Sequence, residues 1–574
     1  MANRIHSIKL FTTVLGIFLS TTSVKAQFSY PGCSDLKSTD FSIKEVFNND
    51  GGGGASGFDN GIAEPVQMDL HGVKKNGVLD HVDIYFVERL GGVKMFDGAT
   101  KTVVTLGKIP TLGLVDNGLM GLALDPDFDN NRNIFFWYSP KELVGQNRKM
   151  RLTRIKLLPN NTLDMVSEKI LIEILGSKSD KYHSGGPMTF DSYGDLWVTV
   201  GNNSPDLDID TCNVKSRTDS TKSAEWGPSN TASLRGGIFR IHPDNSTKGY
   251  SIPGGNFGEY WANQFDSQGR TALATEYRNP VKVLPELYVK GDRSNFSIAV
   301  HPTKRWLAWG VVNYSTVNDE FNLVTHPVFA GYPYFHQNNL PTCRYERVET
   351  VDAPVNNSPF NSGVVNLPPA TPSVISNLVN VAMSGPIYVF DPSLNIPTKF
   401  PPHLHQSWIN MSFQSNQIYI STLDTINVTV KKTQRVDNGL FVSKAFRHPL
   451  QAKYGPDGSL YVLNYDGFYS TGIPGVFKID YVGGCQIVSN RAGKRINQNL
   501  DISISPSMLY IREEGEHALQ IYDVKGNLRA THRSSHAADY SLQDIGLRFG
   551  LEQGVYQFQV KTTKGIFNHT FFLL

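Results

Sequence analysis

The chain has 574 residues, of which 11% are aromatic and 18% are charged, and its formal net charge is +2. So small a net charge argues against the strongly basic surface of a nucleic-acid-binding protein. The aromatic content argues against disorder and against long charged helices. The length and composition predict more than one folded domain, built mainly from β-strands.

The N-terminal residues have the pattern of a secretory signal peptide. Arg4 and Lys9 precede an apolar run over residues 10–19, and small residues follow up to Ala26. This pattern predicts a signal peptide over residues 1–26, cleaved after Ala26, and therefore an exported protein. The alternative is a buried helix. The apolar run is too short to span a membrane comfortably, and no later segment of the sequence reaches spanning length.

Four cysteines follow the signal peptide: Cys33, Cys212, Cys343 and Cys485. An even number in an oxidising compartment predicts two disulfides, for which three pairings are possible. Because Cys33 and Cys485 lie near the two ends of the long middle region, we favour a Cys33–Cys485 bond and a Cys212–Cys343 bond. The alternative is buried free thiols. None of the cysteines has zinc-ligand spacing.

From about residue 66 the sequence repeats one theme, an apolar aromatic strand next to a polar turn. Several of these strands follow turn sequences such as Asp191–Gly194 or Pro456–Gly458, which supply the tight backbone of a hairpin. One strand core per blade predicts an all-β fold, a six-bladed β-propeller whose long loops gather on one face. The widest gap between cores runs from Trp197 to Trp306. The alternative is a pair of β-sandwiches. The cores are DIYFVERLGGVKMFD, NIFFWYS, GDLWVTVGN, RWLAWGVV, QIYIST and GSLYVLNYDG.

The composition changes after Cys485. Residues 486–499 are polar and predict a linker, and residues 500–574 carry a compact β pattern that predicts a small immunoglobulin-like β-sandwich. In GVYQFQV, at residues 554–560, apolar residues alternate with glutamines, as in a half-buried strand.

This tail also resembles a known export module. The IYDVKGNL element at residues 521–528, the GVYQFQV element and the apolar final strand are similar to the C-terminal sorting domain of the type IX secretion system. The resemblance implies a Bacteroidota-like source. It also implies export across the inner membrane by the signal peptide and across the outer membrane by the tail, which ends in secretion or display at the cell surface. The alternative is an ordinary accessory sandwich.

The middle region contains three longer motifs: DNGLMGLALDPDFDNNRNIFFWYS from Asp116, HSGGPMTFDSYGDLWVTVGNN from His183 and AMSGPIYVFDPSLNIPTKFPP from Ala382. They resemble hallmarks of the glucose/sorbosone dehydrogenases that use pyrroloquinoline quinone (PQQ), and the resemblance continues in family order over residues 66–482. It implies that residues 27–485 form a β-propeller that oxidises a sugar or another alcohol. The implied cofactors are PQQ and calcium, and the electrons would pass to an external acceptor.

The resemblance assigns roles to particular residues. It places His183 at the position of a general base, which takes the hydroxyl proton while hydride leaves the carbon, and a neutral histidine suits this step. A loop histidine held by a backbone carbonyl is the alternative. Asp116, Asn117 and Asn203 fall among the residues expected to contact the cofactor. Asp116 and Asn117 would equally suit an Asx turn that enters the strand.

A cationic partner for PQQ is expected at Arg293. It lies in the run Gly291-Asp292-Arg293-Ser294-Asn295, where the family has Gly-x-Arg-Asn-Pro. The run Arg278-Asn279-Pro280 is a more literal match, but it lies upstream and out of register, so we set it aside.

The calcium site is expected at Asp319 and Glu320, which stand where the family's calcium loop ends and supply the oxygen ligands that calcium prefers. The alternative is that the pair only caps a turn. Tyr314-Ser315 stands in place of the Gly-Pro that precedes this position in the soluble glucose enzymes, which weakens the expectation of calcium.

Two further departures reduce the positive charge that would hold a polyanionic cofactor. Ser415 replaces an arginine of the family, and the position of a cofactor lysine falls near Val389. The sequence therefore supports two hypotheses, an active PQQ-dependent dehydrogenase and a non-catalytic propeller that binds carbohydrate or a protein partner at the cell surface. A hydrolase is a third possibility, but no paired acids support it.

Overall fold

A computed structural model describes residues 38–48, 62–113, 115–141, 148–176, 182–203, 226–313, 319–342, 354–376, 378–391, 394, 396–435, 446–465, 474–483, 502–504, 508–512, 515–523, 527–541, 545, 549–551, 554–562 and 565–573. The predicted signal peptide, the predicted linker 486–499 and all four cysteines lie outside these residues. The cleavage site and the disulfides therefore stay predictions. The described chain is mostly β-strand with few helices, as the composition predicts.

The chain divides into two compact units, one spanning Asp35–Gly493 and the other including Lys494–Leu574. The first unit contains three α-helices among its described residues, α1 (Phe128–Asn131), α2 (Phe257–Ser267) and α3 (Thr271–Tyr277), and two short 3-10 helices at Ser38–Asp40 and Pro402–Leu404. Its strands, in chain order, are β1 (Phe41–Asn48), β2 (Pro65–Lys75), β3 (Val78–Glu88), β4 (Gly92–Asp97), β5 (Thr102–Lys108), β6 (Leu119–Leu124), β7 (Asn133–Tyr138), β8 (Lys149–Leu157), β9 (Leu163–Leu175), β10 (Met188–Phe190), β11 (Leu196–Val200), β12 (Gly237–Pro243), β13 (Tyr250–Ser251), β14 (Leu287–Lys290), β15 (Ser297–Val300), β16 (Leu307–Val311), β17 (Glu320–Val324), β18 (Val328–Phe329), β19 (Phe335–His336), β20 (Leu340–Pro341), β21 (Ile375–Ser376), β22 (Ala382–Tyr388), β23 (Ser407–Ser412), β24 (Gln417–Asp424), β25 (Thr429–Arg435), β26 (Pro449–Tyr454), β27 (Leu460–Asn464) and β28 (Gly475–Tyr481).

Within the described part of this unit, six sheets contain at least four strands each. Their orders are β2-β3-β4-β5, β6-β7-β8-β9, β10-β11-β12-β14-β18 with β13 beside β12, β15-β16-β17-β21, β22-β23-β24-β25, and β26-β27-β28-β1. The first strands β2, β6, β10, β15, β22 and β26 each contact the next, and β26 contacts β2, so they close a ring. Strand β1 pairs with β28 and so joins the two ends of the unit in one sheet.

Each of the six strand cores in the sequence falls in a different one of these sheets, in β3–β4, β7, β11, β16, β24 and β27. The turn chemistry before β11 is visible in the hydrogen bonds. Asp191 Oδ1 accepts the backbone N–H groups of Tyr193 and Asp195, both at 2.9 Å, and Gly194 has a φ of 82°. Asp191 Oδ2 accepts the indole N–H of the buried Trp197 at 3.0 Å, which ties the turn to the core of the sheet.

The widest gap in the strand pattern, where we expected long loops, contains α2 and α3. Phe257, Trp261 and Phe265 recur every four residues on α2, and this spacing places them on one helix face. Tyr277 at the end of α3 packs against both phenylalanines of that face. The helical period was present in the sequence, and the strand theme on either side obscured it.

The direction of the strands decides which residues meet at the ring. The first and second strands of each sheet are antiparallel, so the residues that enter the first strand and the residues that leave the second strand lie at the same end. Several residues that precede a first strand have a left-handed backbone conformation: Glu64 (φ 52°) before β2, His183 (φ 57°) before β10, Val381 (φ 60°) before β22 and His448 (φ 48°) before β26. A left-handed residue other than glycine is uncommon, and such strain is often found at functional sites.

The second unit contains β29 (Ile502–Ile504), β30 (Met508–Ile511), β31 (His517–Asp523), β32 (Leu528–Ser534), β33 (Ala538–Ser541), β34 (Gly554–Thr562) and β35 (Gly565–Leu573). They form two sheets, β29-β30-β33 and β32-β31-β34-β35. Both sheets contribute to one apolar cluster, in which Leu509, Leu519 and Phe558 are fully buried. On β34 Phe558 and Val560 are buried while Gln557 is exposed, which matches the predicted alternation.

Among the described residues, no helix is both long enough and apolar enough to cross a membrane.

A buried ion pair on β3 and β4 gives a direct test of the packing. Lys94 Nζ lies 2.8 Å from Glu88 Oε1, and both side chains are at most 2% exposed. We expect Lys94→Met to lower the free energy of unfolding by roughly 3–5 kcal/mol in urea denaturation, because it leaves a buried carboxylate without its cation. The double variant Glu88→Gln/Lys94→Met should lose less. Equal losses in the two variants would contradict the buried pair.

Candidate functional site

The end of the first unit at which the chain enters the first strand of each sheet is called the ring end. His183 lies at this end, in the turn that leads into β10. Its backbone N–H donates to Asp116 Oδ2 at 2.7 Å, and its backbone carbonyl accepts the N–H of Asn203 at 3.2 Å. Its ring Nδ1 lies 2.9 Å from Asn202 Oδ1. An amide oxygen only accepts hydrogen bonds, so Nδ1 carries a proton, and in the neutral ring the lone pair is on Nε2. The ring is therefore held in the tautomer that a general base requires.

The turn around His183 leaves no room for a side chain at the neighbouring glycine positions. A Cβ atom added to Gly201 would lie 2.2 Å from the carbonyl oxygen of His183. Gly185 and Gly186 have φ values of 67° and 124°, which glycine adopts without strain. The Gly-rich sequence after His183 therefore serves a close approach between this turn and the end of β11.

The other predicted cofactor residues in this region shape the turn. Asn117 is buried, and its Oδ1 accepts the hydroxyl protons of Ser184 at 2.9 Å and Ser139 at 3.4 Å. Asn203 Nδ2 donates to the Tyr182 carbonyl at 3.0 Å. Together with Asp116, these side chains fix the position of His183, a role that the sequence alone did not reveal.

Arg293 joins the same site from the neighbouring sheet. It enters β15, and its guanidinium donates to the carbonyls of Val312 at 2.7 Å and Asn313 at 2.8 Å. Its own carbonyl accepts the N–H of Asn202 at 2.7 Å. The residue that orients His183 is thus bonded directly to the backbone of Arg293. Arg278, which we set aside, lies at the end of α3 with its side chain 46% exposed and paired with Asp266 at 2.6 Å.

Two further buried arginines, Arg235 and Arg89, lie at this end, and we did not single them out from the sequence. Arg235 donates to the carbonyls of Asn202 at 2.8 Å and Asn203 at 3.1 Å, and its guanidinium lies 4.1 Å from the centre of the Trp226 ring. The same arginine and tryptophan line a cavity of ≈ 330 Å³. The motif LRGGIFR contained the signal for Arg235, but only the fold brings it beside Asn202.

Arg89 follows β3 and contacts the entry to β6. It pairs with Glu64 at 2.7 Å and donates to the carbonyl of Val115 at 2.9 Å. Tyr465, which follows β27, lies near this group. Burial raises the pKa of Tyr465 above its usual value, and the nearby carboxylate of Glu64 raises it further. The polar groups at this end thus extend beyond His183 to Glu64, Arg89, Asp116 and Tyr465.

The expected calcium residues are buried and already engaged. Asp319 accepts the N–H groups of Asn313 at 2.8 Å and Ala382 at 2.9 Å. Glu320 accepts the N–H of Gln337 and, at 3.4 Å, the amide of Asn322. Burial raises the pKa of Asp319 to about 6 and of Glu320 to about 7. Each of the four oxygens therefore accepts one N–H hydrogen bond and keeps a second lone pair. Residues 314–318, just before Asp319, lie outside the described residues, so calcium at this position stays a prediction.

Ser415 and Val389 occupy opposite ends of their sheet. Ser415 follows β23 at the same end as His183, and its hydroxyl bonds Ser412 Oγ at 2.6 Å. Val389 follows β22, whose last residue Tyr388 pairs with Ser407 at the start of β23. A side chain at position 389 therefore lies away from the site, so the expectation that a cofactor lysine position falls near Val389 was wrong.

Comparisons with known proteins agree with the resemblance in the sequence over part of the chain. The family model described as Glucose / Sorbosone dehydrogenase matches residues 76–249. This range contains Asp116, Asn117, His183, Asn203 and Arg235. Among curated proteins, an uncharacterized protein of Synechocystis sp. is 24% identical over 265 residues, or 44% of this chain. The match covers 55% of that relative, so the chain spans about half of its length.

Three similar solved structures are described in related terms. One from Thermus, described as a putative oxidoreductase (glucose dehydrogenase), is 18% identical with a TM-score of 0.49, covering 76% of this chain and 99% of its own. The soluble aldose sugar dehydrogenase of Escherichia coli, in its apo-form, is 16% identical with a TM-score of 0.49, covering 77% and 99%. The PQQ-bound aldose sugar dehydrogenase of Streptomyces coelicolor is 14% identical with a TM-score of 0.47, covering 77% and 98%.

A buried carboxyl near Arg293 predicts a dependence of stability on pH. Burial raises the pKa of Asp292 from 3.8 to about 7, although Trp309 and Asn295 donate hydrogen bonds to it. A raised pKa means that the folded protein holds this proton more tightly than the unfolded chain. The stabilisation is complete below pH 4 and is lost as pH rises to about 7.

We therefore expect the melting temperature of Asp292→Asn, relative to the native chain, to improve as the pH is raised from 5 to 8. The variant carries no charge there at any pH, so the difference reports the titration of Asp292 together with its effect on Lys290 and Glu320. Thermal unfolding of both proteins at several pH values, in buffer that contains a metal chelator, measures this difference in melting temperature. A difference that does not change with pH would contradict the raised pKa.

Proposed function

We propose that residues 35–493 form a six-bladed β-propeller that oxidises a hydroxyl group of a sugar or another alcohol, with PQQ as the hydride acceptor and His183 as the general base. The observation that carries this proposal is the contact between Nδ1 of His183 and Oδ1 of Asn202, because it assigns the lone pair to Nε2. The family match over residues 76–249 supports the same reaction class. The closed ring of six first strands supports the propeller.

The protein's own part in the reaction is proton transfer and positioning. Nε2 of His183 would accept the proton of the substrate hydroxyl as hydride leaves the same carbon, which becomes a carbonyl. PQQ, when bound, supplies the two-electron acceptor, and an external acceptor later removes the electrons. Asn202 keeps the imidazole in the required tautomer throughout, and Asp116 holds the turn that carries it.

Arginines at the ring end would bind the carboxylates of PQQ, since guanidinium–carboxylate pairs are short and directional. Arg293 and Arg235 are both bonded to the Asn202 segment, so both contact the backbone that orients His183. The positive charge of these two arginines lies at positions other than Ser415 and Val389, where cationic residues of the family were expected. Calcium at Asp319 and Glu320 stays a prediction, and no step in this proposal depends on that ion.

We also propose that the protein is exported in two stages, by the signal peptide over residues 1–26 and then by the type IX secretion machinery through the tail at 500–574. The two sheets of the second unit around one apolar cluster support an immunoglobulin-like sandwich, which suits a sorting domain. The product would act outside the cell or at its surface, where sugars and external electron acceptors are available.

A second candidate function is a non-catalytic propeller that binds carbohydrate or a protein partner. The loss of the family arginine at Ser415 favours it, because a missing partner for a buried anionic group costs on the order of 1–3 kcal/mol. This candidate keeps the same fold and the same export route, so binding of PQQ distinguishes the two.

The test is titration of the purified full-length protein with PQQ, with and without calcium, followed by thermal unfolding and dye-linked oxidation of a panel of sugars. PQQ at 100 times its dissociation constant should stabilise the fold by about 2.7 kcal/mol. Arg293→Gln should weaken PQQ binding by roughly 10–100-fold, since it removes a charged hydrogen-bond donor, while Arg293→Lys should lose less.

Arg278→Gln is the matched control, because this arginine is half exposed on α3 and should leave binding unchanged. Absence of both stabilisation and oxidation would refute the dehydrogenase and favour the second candidate. Equal binding by the Arg293 and Arg278 variants would refute the assignment of Arg293.

A further inference from the structure

A second cluster of potential ligands lies at the other end of the first sheet, away from His183. Asp80, His81 and Asp83 lie near the start of β3, and Asp97 ends the neighbouring strand β4. One ligand atom from each of His81, Asp83 and Asp97 lies within 4.8 Å of the others. Because Arg89 follows the far end of β3, this cluster is separate from the proposed catalytic site.

We propose that His81, Asp83 and Asp97 bind a divalent transition-metal ion of the zinc class. The first argument is the orientation of the histidine. Nδ1 of His81 lies 2.9 Å from Asp80 Oδ2, so Nδ1 carries a proton that it donates to this carboxylate. In the neutral ring the lone pair is then on Nε2, which faces Asp83. A carboxylate on the remote ring nitrogen is the usual support of a metal-binding histidine.

The second argument is spacing. His81 Nε2 and Asp83 Oδ1 are 3.4 Å apart, which is longer than a charge-assisted hydrogen bond of about 2.7–2.9 Å. Ligands bound at about 2.0–2.2 Å around a tetrahedral ion are separated by about 3.3–3.6 Å, so a zinc ion fits between these two atoms. A neutral imidazole would otherwise direct its lone pair at an anionic oxygen.

The third argument is that the carboxylates are held in place. The N–H of Gly98 donates to Asp83 Oδ1 at 2.8 Å, and the N–H groups of Ala99 and Thr100 donate to Asp97 Oδ1 at 2.8 and 3.0 Å. The turn after β4 thus orients both acids before any ion arrives. Three carboxylates surround one imidazole, so a divalent ion would also reduce an excess of negative charge. Such an ion would fasten the β4 turn to the start of β3.

The test is calorimetric titration of the full-length protein, without an affinity tag, with zinc chloride, together with metal analysis after dialysis. We expect the native chain to bind one zinc ion, and we expect the His81→Asn and Asp97→Asn variants not to bind it. Asp80→Asn, which keeps all three ligands but removes the support of Nδ1, should weaken zinc binding by roughly 10–100-fold. The melting temperatures of the metal-free variants show whether each one is folded.

His71→Asn is the matched control. The His71 side chain is 19% exposed, against 18% for His81, and its Nε2 lies 2.8 Å from Asp129, but it belongs to no group of three ligands among the described residues. Its zinc affinity should stay within about twofold of the native chain, well below the loss expected at His81. Zinc binding that survives in folded His81→Asn, or no zinc binding by the native chain, would overturn the proposal. In that case Asp80 and Asp83 only hold the His81 ring in place.

Discussion

The antiparallel pairing of the first two strands in each sheet is the constraint on which the candidate site depends. It brings the entry to every first strand and the exit from every second strand to one end of the closed ring. His183 is an entry residue, whereas Asn202 and Arg89 are exit residues. Residues far apart in the sequence, such as Asn202 and Arg293, can therefore share a hydrogen bond. The site requires no special loop for this, because the strand order itself assembles it.

Several strained backbone positions lie at the same end. Val115 and Val381 are left-handed although they are β-branched, and His183 shares this conformation. Such residues cost of order 1–3 kcal/mol each, so the surrounding contacts must compensate. Arg89 bonds the carbonyl of Val115, and Asp116 bonds the N–H of His183. The buried polar groups at the ring end thus stabilise the strained turns as well as forming the site.

The strand cores and their turns could be predicted from the sequence, because alternation and Asp-Gly turns are local signals. So could His183, whose Gly-rich turn is part of a recognisable motif. The contacts of Arg235 and Arg89 could not be predicted from the sequence. Arg235 meets Asn202 across the long connection between β11 and β12, and Arg89 meets Val115 at the entry to the next sheet. Val389 was misplaced for the converse reason, because a resemblance between sequence motifs does not show which end of a strand a residue occupies. The helices α2 and α3 were missed because strand patterns flank them.

The central claim is that His183 takes the substrate proton in the chemical step. The most direct measurement is a single-turnover reaction, in which PQQ-loaded protein is mixed without oxygen with the sugar that gives the highest dye-linked rate, and reduction of the quinone is followed by absorbance. The account predicts reduction in the native protein and a rate roughly 10²–10⁴-fold lower in His183→Asn, with PQQ affinity unchanged. An equal rate in the two proteins would contradict the account.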